Sequence, residues 1–129
     1  MSAASQSFAV VIDDETSYLS LLEIVLGELL TCRIKTYPDP EAALAELPHM
    51  KVGIIVSDFY MPRMDGVQFL KKLKPIQPEV PCILITGHKE LLDRMDLSDL
   101  HCLKAILAKP FKMDELAKCI SEHWPEALA

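Results

Sequence analysis

Five short apolar runs alternate along the chain with five segments whose apolar residues recur at helical spacing, and this alternation is the strongest constraint on the fold. The runs that predict β-strands are FAVVI at 8–12, CRIKTY at 32–37, VGIIV at 52–56, VPCILI at 80–85 and KAILA at 104–108. The segments that predict helices lie at 15–30, 39–47, 66–74, 89–100 and 112–124. At the start of the second of these, Asp39 is placed to cap the helix and Pro40 to occupy its first turn.

This alternation predicts an α/β fold with a doubly wound parallel sheet, because a parallel pair of strands requires a crossover connection. The runs VVI, IIV and ILI are apolar without interruption, which is typical of strands covered by helices on both faces of a sheet. A chain of 129 residues is long enough for one domain of ordinary size. We therefore expect a single domain, with its core from about residue 8 to residue 124.

The net charge of −6 gives the chain no broad electrostatic footprint for nucleic acid. No apolar run approaches the roughly 20 residues that cross a bilayer. The N-terminal stretch MSAASQSFAVV lacks the basic region and the long apolar core of a signal peptide. We expect a cytoplasmic domain that binds neither nucleic acid nor membrane directly.

The four cysteines are scattered and contain no Cys-x-x-Cys pair, so a metal cluster or a dithiol motif is not expected. We expect free, mostly buried thiols, since cysteine behaves as a small hydrophobic residue. The positions are Cys32, Cys82, Cys102 and Cys119.

Polar residues follow four of the five predicted strands. The carboxyl ends of parallel strands share one edge of the sheet, where working groups gather. Taken singly, each group has an ordinary structural explanation: acids favour a helix N-terminus, and Thr and Lys-Pro are common in turns. The groups are Asp13, Asp14 and Glu15 after the first strand, Ser57 and Asp58 after the third, Thr86 and Gly87 after the fourth, and Lys109 and Pro110 after the fifth.

Taken together, these groups favour a cation site. Two carboxylates about 5 Å apart repel by about 3 kcal/mol at an effective dielectric constant of about 20, so an acidic cluster needs a cation. Oxygen ligands without histidine or cysteine suit a hard ion such as Mg²⁺, which also binds phosphoryl oxygens. Lys109 could add a further positive charge beside such an oxygen.

Four motifs, in this order and spacing, resemble those of the receiver domain of bacterial two-component response regulators. The resemblance covers the chain from about Phe8 to Trp124 and implies a flavodoxin-like strand order 2-1-3-4-5 with five helices on both faces of the sheet. The motifs are VIDDE at 11–15, SDFYMPRMDG at 57–66, ILITG at 83–87 and AKPF at 108–111.

The resemblance implies that Asp58 accepts a phosphoryl group from a phosphohistidine on a histidine kinase or a histidine phosphotransfer protein. Lys109 and Thr86 would contact the phosphoryl group, and the Lys109–Pro110 bond would be cis. Such a domain catalyses its own phosphorylation and slow dephosphorylation and is not a conventional turnover enzyme. The implied ligands of Mg²⁺ or Mn²⁺ are Asp13, Asp14, Asp58 and the backbone carbonyl of Tyr60.

The same resemblance implies roles for residues in the loop after Asp58. We expect Pro62 to stiffen the turn, Gly66 to relieve backbone strain before the next helix, and Met61 and Met64 to be packing residues without a ligand role.

The chain departs from the family pattern near its fifth strand. Ile106 occupies a switch position where many receivers carry Tyr or Phe, so either the output surface changes by other means or the domain passes phosphoryl groups on without a large switch. The segment LHCLKA at 100–105 replaces the usual small residues, which makes the fourth helix the least certain element. Tyr60 and His88 are expected to modulate how easily water reaches the aspartyl phosphate. We expect partner contacts, with an output domain or a target protein, on the face formed by helix four, strand five and helix five, within KAILAKPFKMDEL at 104–116.

Three other classes of protein fit these residues less well than a receiver domain does. A flavin-binding carrier needs a glycine- and hydroxyl-rich phosphate loop after the first strand, where this chain has DDET. A phosphohydrolase with an aspartate nucleophile needs a second aspartate where Tyr60 stands, and a degenerate receiver would lack some of the charged site residues. Whether the chain is a stand-alone regulator or part of a longer regulator or hybrid kinase stays open.

Overall fold

A computed structural model of the protein describes residues 7–128. Residues 1–6 of the N-terminal stretch MSAASQSFAVV lie outside this range. The predicted sheet is confirmed: five parallel strands pair in the order β2-β1-β3-β4-β5. Both β2 and β5 therefore lie at edges, and β3 lies at the centre between β1 and β4. The strands are β1 (Phe8–Ile12), β2 (Arg33–Tyr37), β3 (Val52–Asp58), β4 (Cys82–Thr86) and β5 (Leu103–Ala108).

Five α-helices connect and follow these strands: α1 (Thr16–Leu29), α2 (Pro40–Glu46), α3 (Gly66–Leu73), α4 (Lys89–Asp93) and α5 (Met113–His123). Short 3₁₀ helices lie at Leu47–His49 and Pro125–Leu128. The predicted cap of α2 is present, since the Asp39 side chain accepts a hydrogen bond from the N–H of Glu41 at 3.0 Å. No helix in the described part of the chain is long and apolar enough to cross a membrane.

The prediction of a fourth helix over 89–100 was wrong in its length, because α4 ends at Asp93. A local turn replaces the rest of the helix. The Asp96 carboxylate accepts hydrogen bonds from the N–H of Ser98 at 3.1 Å and from its hydroxyl at 2.6 Å. Such side-chain bonds to nearby backbone compete with helical hydrogen bonds, so the polar residues end the helix early.

The sheet separates two hydrophobic cores. On one face, α2, α3 and α4 cover a core that includes Phe69, Leu70 and Leu92, while α1 and α5 cover the other with Leu22 and Ile120. Successive residues of each central strand alternate between the two cores, as the two-residue period of a strand requires. This arrangement leaves the carboxyl ends of the strands at one uncovered edge.

The C-terminal residues complete the second core. Trp124 packs against β3 so closely that a Cβ atom at Gly53 would overlap its indole ring. Beyond it, Ala127 is fully buried, and its carbonyl accepts hydrogen bonds from the N–H of Thr31 at 2.8 Å and from the Thr31 hydroxyl at 3.0 Å. The chain from Pro125 to Leu128 is therefore part of the packed fold.

Candidate functional site

Asp58 is the last residue of β3 and is held at the edge of the core. Its side chain is buried, and the hydroxyl of the fully buried Ser57 donates to the Asp58 carbonyl at 3.0 Å. Immediately after it, the N–H of Phe59 donates to the carbonyl of Ile85 at 2.8 Å, which fixes the chain against β4. The strand thus presents one carboxylate at a defined place and then ends.

The loop after Asp58 folds back onto it at Gly66, whose N–H donates to the Phe59 carbonyl at 2.7 Å. The expected relief of backbone strain is not the reason for this glycine, because its φ is not positive. Space is the reason: a Cβ there would lie 2.8 Å from the Asp58 carbonyl oxygen and 2.8 Å from the Leu84 side chain. In the same loop, the left-handed residue is Arg63, with φ of 69°.

Met61 and Met64 are buried in the first core, in agreement with their expected packing role. Together with Pro62, they line a surface cleft that extends from Asp14 past Tyr60 to Gln68.

Three carboxylates meet at the edge of the sheet. Oxygen atoms of Asp13, Asp14 and Asp58 lie within 4.8 Å of one another, and among the described residues no other group of three or more His, Cys, Asp or Glu side chains is so arranged. Asp13 is buried and accepts a hydrogen bond from the Glu15 N–H at 3.0 Å, whereas Asp14 is exposed. The donor set is therefore all oxygen, partly shielded from water and open on one side.

Burial governs the protonation of this cluster. It raises the pKa of Asp58 to about 6, against the opposing charge of Lys109 and with a further rise from the Asp13 carboxylate. The pKa of Asp13 is also raised, again first by burial, while the Glu15 N–H and Lys109 act in the opposite direction. Such raised pKa values are typical of carboxylates that are withdrawn from water and only partly compensated by a nearby positive charge.

Lys109 supplies the nearest cation to Asp58, with its Nζ 3.5 Å from Asp58 Oδ1. Its N–H donates to the Thr86 carbonyl at 2.8 Å, so its backbone is fixed against β4, and the Lys109–Pro110 bond is cis as expected. The same Nζ lies 5.4 Å from the ring centroid of Tyr18. Tyr18 is half-buried, and burial raises its pKa, with further contributions from Asp13 and Asp58.

Sequence reasoning misses Tyr18, which is one of many residues within the helix predicted at 15–30. A signal is available, since Tyr18 lies in the first turn of the helix that follows Asp13 and Asp14. The first turn of α1 therefore carries it towards the strand ends.

Thr86 ends β4 and is almost fully buried. Its hydroxyl oxygen accepts a hydrogen bond from the His88 N–H at 2.9 Å, so the hydroxyl proton is free to be donated elsewhere. The His88 residue immediately precedes α4, and its side chain is exposed and lies 3.7 Å from the Glu90 carboxylate. The backbone of α4 is thus tied to the Thr86 side chain.

Two further predicted residues, Tyr60 and Ile106, differ in their surroundings. The Tyr60 side chain is 78% exposed, next to the acidic cluster in sequence but directed to solvent. Ile106 is half-buried against the first core and lines a groove on the α4–β5 side of the molecule. Others lining this groove are Lys89, Leu97, Leu100, Leu103, Lys104 and Ala105.

A model of one protein family, described as the response regulator receiver domain, matches residues 9–121. The chain belongs to this family. The transcriptional regulatory protein FixJ of Bradyrhizobium diazoefficiens is 32% identical to it over 110 residues, covering 85% of this chain and 53% of FixJ. The receiver domain thus spans about half the length of that relative.

Solved structures show the same fold. A CheY-like response regulator receiver domain protein from Methanospirillum hungatei JF-1 superimposes with a TM-score of 0.84 at 21% identity, covering 95% of this chain and 97% of that one. The receiver domain of a sensor histidine kinase from Pseudomonas aeruginosa PAO1, which holds a magnesium ion in its active-site cleft, gives 0.78 at 22% identity, covering 92% and 96%.

Proposed function

We propose that this receiver domain accepts a phosphoryl group on Asp58 from a phosphohistidine of a histidine kinase or histidine phosphotransfer protein and so relays or switches a cytoplasmic signal. The observation that supports this most directly is the arrangement around Asp58: two further carboxylates within 4.8 Å on one side and the Lys109 ammonium 3.5 Å away on another. A buried carboxylate surrounded in this way is suited to attack phosphorus.

In the proposed transfer, an Asp58 carboxylate oxygen forms a bond to phosphorus as the phosphorus–nitrogen bond of the phosphohistidine breaks. The imidazole leaves with the electron pair of that bond. Lys109 faces the position of the phosphoryl oxygens and offsets their charge, and Thr86 can donate its hydroxyl proton to one of them. The residues of this chain therefore catalyse by positioning and by electrostatic stabilisation.

The donor set fits a magnesium or manganese ion, because the three ligand groups are carboxylates without a histidine or a cysteine among them. Asp13, Asp14 and Asp58 would hold the ion, with the backbone carbonyl of Tyr60. When bound, the ion neutralises negative charge on the phosphoryl oxygens during transfer. Burial raises the pKa of Asp13 and of Asp58, and a bound cation would favour the ionised form of both carboxylates.

A route to the output surface starts at Thr86. If its hydroxyl turns towards a phosphoryl group, the hydrogen bond from the His88 N–H at the start of α4 weakens. This offers a connection from the site to the α4–β5 face that does not require an aromatic ring at Ile106. An output domain or a target protein that binds the face formed by α4, β5 and α5 would then distinguish the two states.

Tyr60 and His88 are proposed to govern the lifetime of the aspartyl phosphate. Both side chains are exposed, and each follows a site residue by two positions, Asp58 and Thr86 respectively. We expect a Tyr60→Ala, His88→Ala variant to lose its phosphoryl group faster than the wild type, because water reaches the phosphorus more freely. An unchanged lifetime, measured by the decay of the phosphorylated mass, would contradict this role.

Intact-mass spectrometry tests the proposed acceptor. After incubation with Mg²⁺ and acetyl phosphate, the wild type should gain one phosphoryl group and the Asp58→Asn variant none. Omission of Mg²⁺ should remove the gain in the wild type as well. Equal gain in the variant would show that Asp58 is not the acceptor.

A further inference from the structure

Cys82 and Cys102 lie side by side at the end of the sheet opposite Asp58. Cys82 begins β4, and its N–H donates to the carbonyl of Cys102 at 2.8 Å, just before β5. Both side chains belong to the core beneath α3 and α4, so they point to the same face of the sheet. The Cys82 thiol donates to the Val80 carbonyl at 3.5 Å, and the two thiols are close enough for each to shift the pKa of the other.

This placement allows a covalent bond between the two sulfur atoms. Cys82 is in register with Leu103, so Cys102 immediately precedes its partner, and the 2.8 Å hydrogen bond holds the two backbones together. Disulfides join residues whose Cα atoms are about 4.4–6.8 Å apart. The sequence gives no hint of the pair, because the two cysteines are separated by nineteen other residues and lie in no Cys-x-x-Cys motif.

The two thiols differ in access and in acidity. Cys82 is fully buried, whereas Cys102 reaches a surface cleft. The neighbouring Cys82 thiol lowers the pKa of Cys102 against the effect of its burial, and its own backbone N–H and the charges of Lys104 and Lys74 lower it further. The other groups lining the cleft are Pro78, Glu79 and His101. The neighbouring Cys102 group and the complete burial of Cys82 raise the pKa of Cys82, which favours a thiolate at Cys102 and a neutral thiol at Cys82.

We propose that Cys82 and Cys102 form a dithiol that hydrogen peroxide oxidises to a disulfide joining the start of β4 to the residue before β5. The Cys102 sulfur attacks one peroxide oxygen, the oxygen–oxygen bond breaks, and the released hydroxide takes up a proton to become water. Cys102 is then a sulfenic acid. The Cys82 sulfur attacks the Cys102 sulfur, the sulfur–oxygen bond breaks, and the hydroxide leaves with the Cys82 proton as a second water.

The remaining two cysteines provide matched controls. Cys32 and Cys119 belong to the opposite core, where each is a free thiol. Burial raises the pKa of both. They report what peroxide does to an isolated thiol in the same chain.

The test uses the full-length reduced chain and hydrogen peroxide. We expect the intact mass to fall by about 2 Da, the mass of the two hydrogens lost on disulfide formation. Digestion without reductant should yield one linked peptide pair that contains Cys82 and Cys102. A Cys32→Ala, Cys119→Ala variant should behave like the wild type, and a Cys102→Ala variant should lose the linkage. In a Cys82→Ala variant, dimedone should trap a sulfenic acid at Cys102.

Three results would overturn the proposal: thiols that stay reduced while Cys32 or Cys119 oxidises, a linkage between any other pair, or sulfinic acid at Cys102 with Cys82 still a thiol. The peptide mapping is done on the wild type, so the decision does not depend on whether either alanine variant folds. It is also independent of phosphorylation, because both cysteines lie at the far end of the sheet from Asp58.

Discussion

At the scale of single residues, the character of the site follows from the burial of charge. Asp58 is buried beside two other carboxylates with one ammonium group for compensation. Since the folded pKa of about 6 lies above the ordinary value of 3.8, the folded protein holds the proton more tightly than the unfolded chain does. The stability that this group contributes without metal is therefore present below about pH 4 and is lost as the pH rises through 6.

The same proton would compete with a magnesium ion bound as proposed. As the pH falls below about 6, Asp58 becomes protonated, and Mg²⁺ must displace that proton to bind. We expect the Mg²⁺ dissociation constant to increase up to about tenfold per pH unit between about pH 6 and pH 5, and to change little above pH 7. Isothermal titration calorimetry at several pH values measures this. A dissociation constant that is the same at pH 5 and pH 7 would contradict it.

Tyr18 provides a second test at this scale, because its ring lies against the Lys109 ammonium. Cation–π contacts at partly exposed positions contribute about 0.5–1 kcal/mol, which corresponds to a rate change of about two- to fivefold. We expect Tyr18→Leu to slow phosphorylation of Asp58 by acetyl phosphate by this factor, since Lys109 is held less firmly. Tyr18→Phe keeps the ring and should react at the wild-type rate. If Phe and Leu slow the reaction equally, the hydroxyl is the important group.

At the scale of secondary-structure elements, the close return of the loop onto β3 fixes where α3 begins. We expect Gly66→Ala to destabilise the protein by about 1–3 kcal/mol, because its Cβ would meet backbone at Asp58 that cannot easily move. Gly27→Ala is the matched control: it lies in α1 with nothing within 4 Å of an added Cβ and should stabilise by about 0.5–1 kcal/mol. Urea unfolding of both variants measures the two free energies of unfolding. An unchanged free energy of unfolding for Gly66→Ala would show that the loop backbone can move to make room for the added Cβ.

The sequence pattern predicted an element correctly where its apolar residues are also the ones that are buried in the fold. The uninterrupted apolar runs of β1, β3 and β4 identified the sheet, and the polar residues after them identified its working edge. The fourth helix was overestimated because Leu97 and Leu100 continue an apolar pattern, while the Asp96–Ser98 turn that ends the helix depends on side-chain bonds. Contacts between distant segments, such as Lys109 with Tyr18 or Cys82 with Cys102, arise only when the strands pair.

At the scale of the whole molecule, the fold depends on two cores that share one sheet, and the C-terminal residues close the second of them. Ala127 is buried against that core, and its carbonyl joins the C-terminus to Thr31 at the end of α1. The segment after α5 therefore contributes to stability although it lies on another part of the fold from the proposed phosphorylation site.

Truncation measures this contribution. Ending the chain after Trp124 removes the buried Ala127 and two hydrogen bonds from Thr31, so we expect the free energy of unfolding to fall by about 1–3 kcal/mol. Ending it after Ala127 removes the 54% exposed Leu128 and the residue that follows it, and should change the value by less than about 0.5 kcal/mol. Both forms should still accept a phosphoryl group, because Asp58 and its neighbours lie on other elements. Equal free energies of unfolding for the two truncated forms would mean that the segment after Trp124 does not contribute to stability.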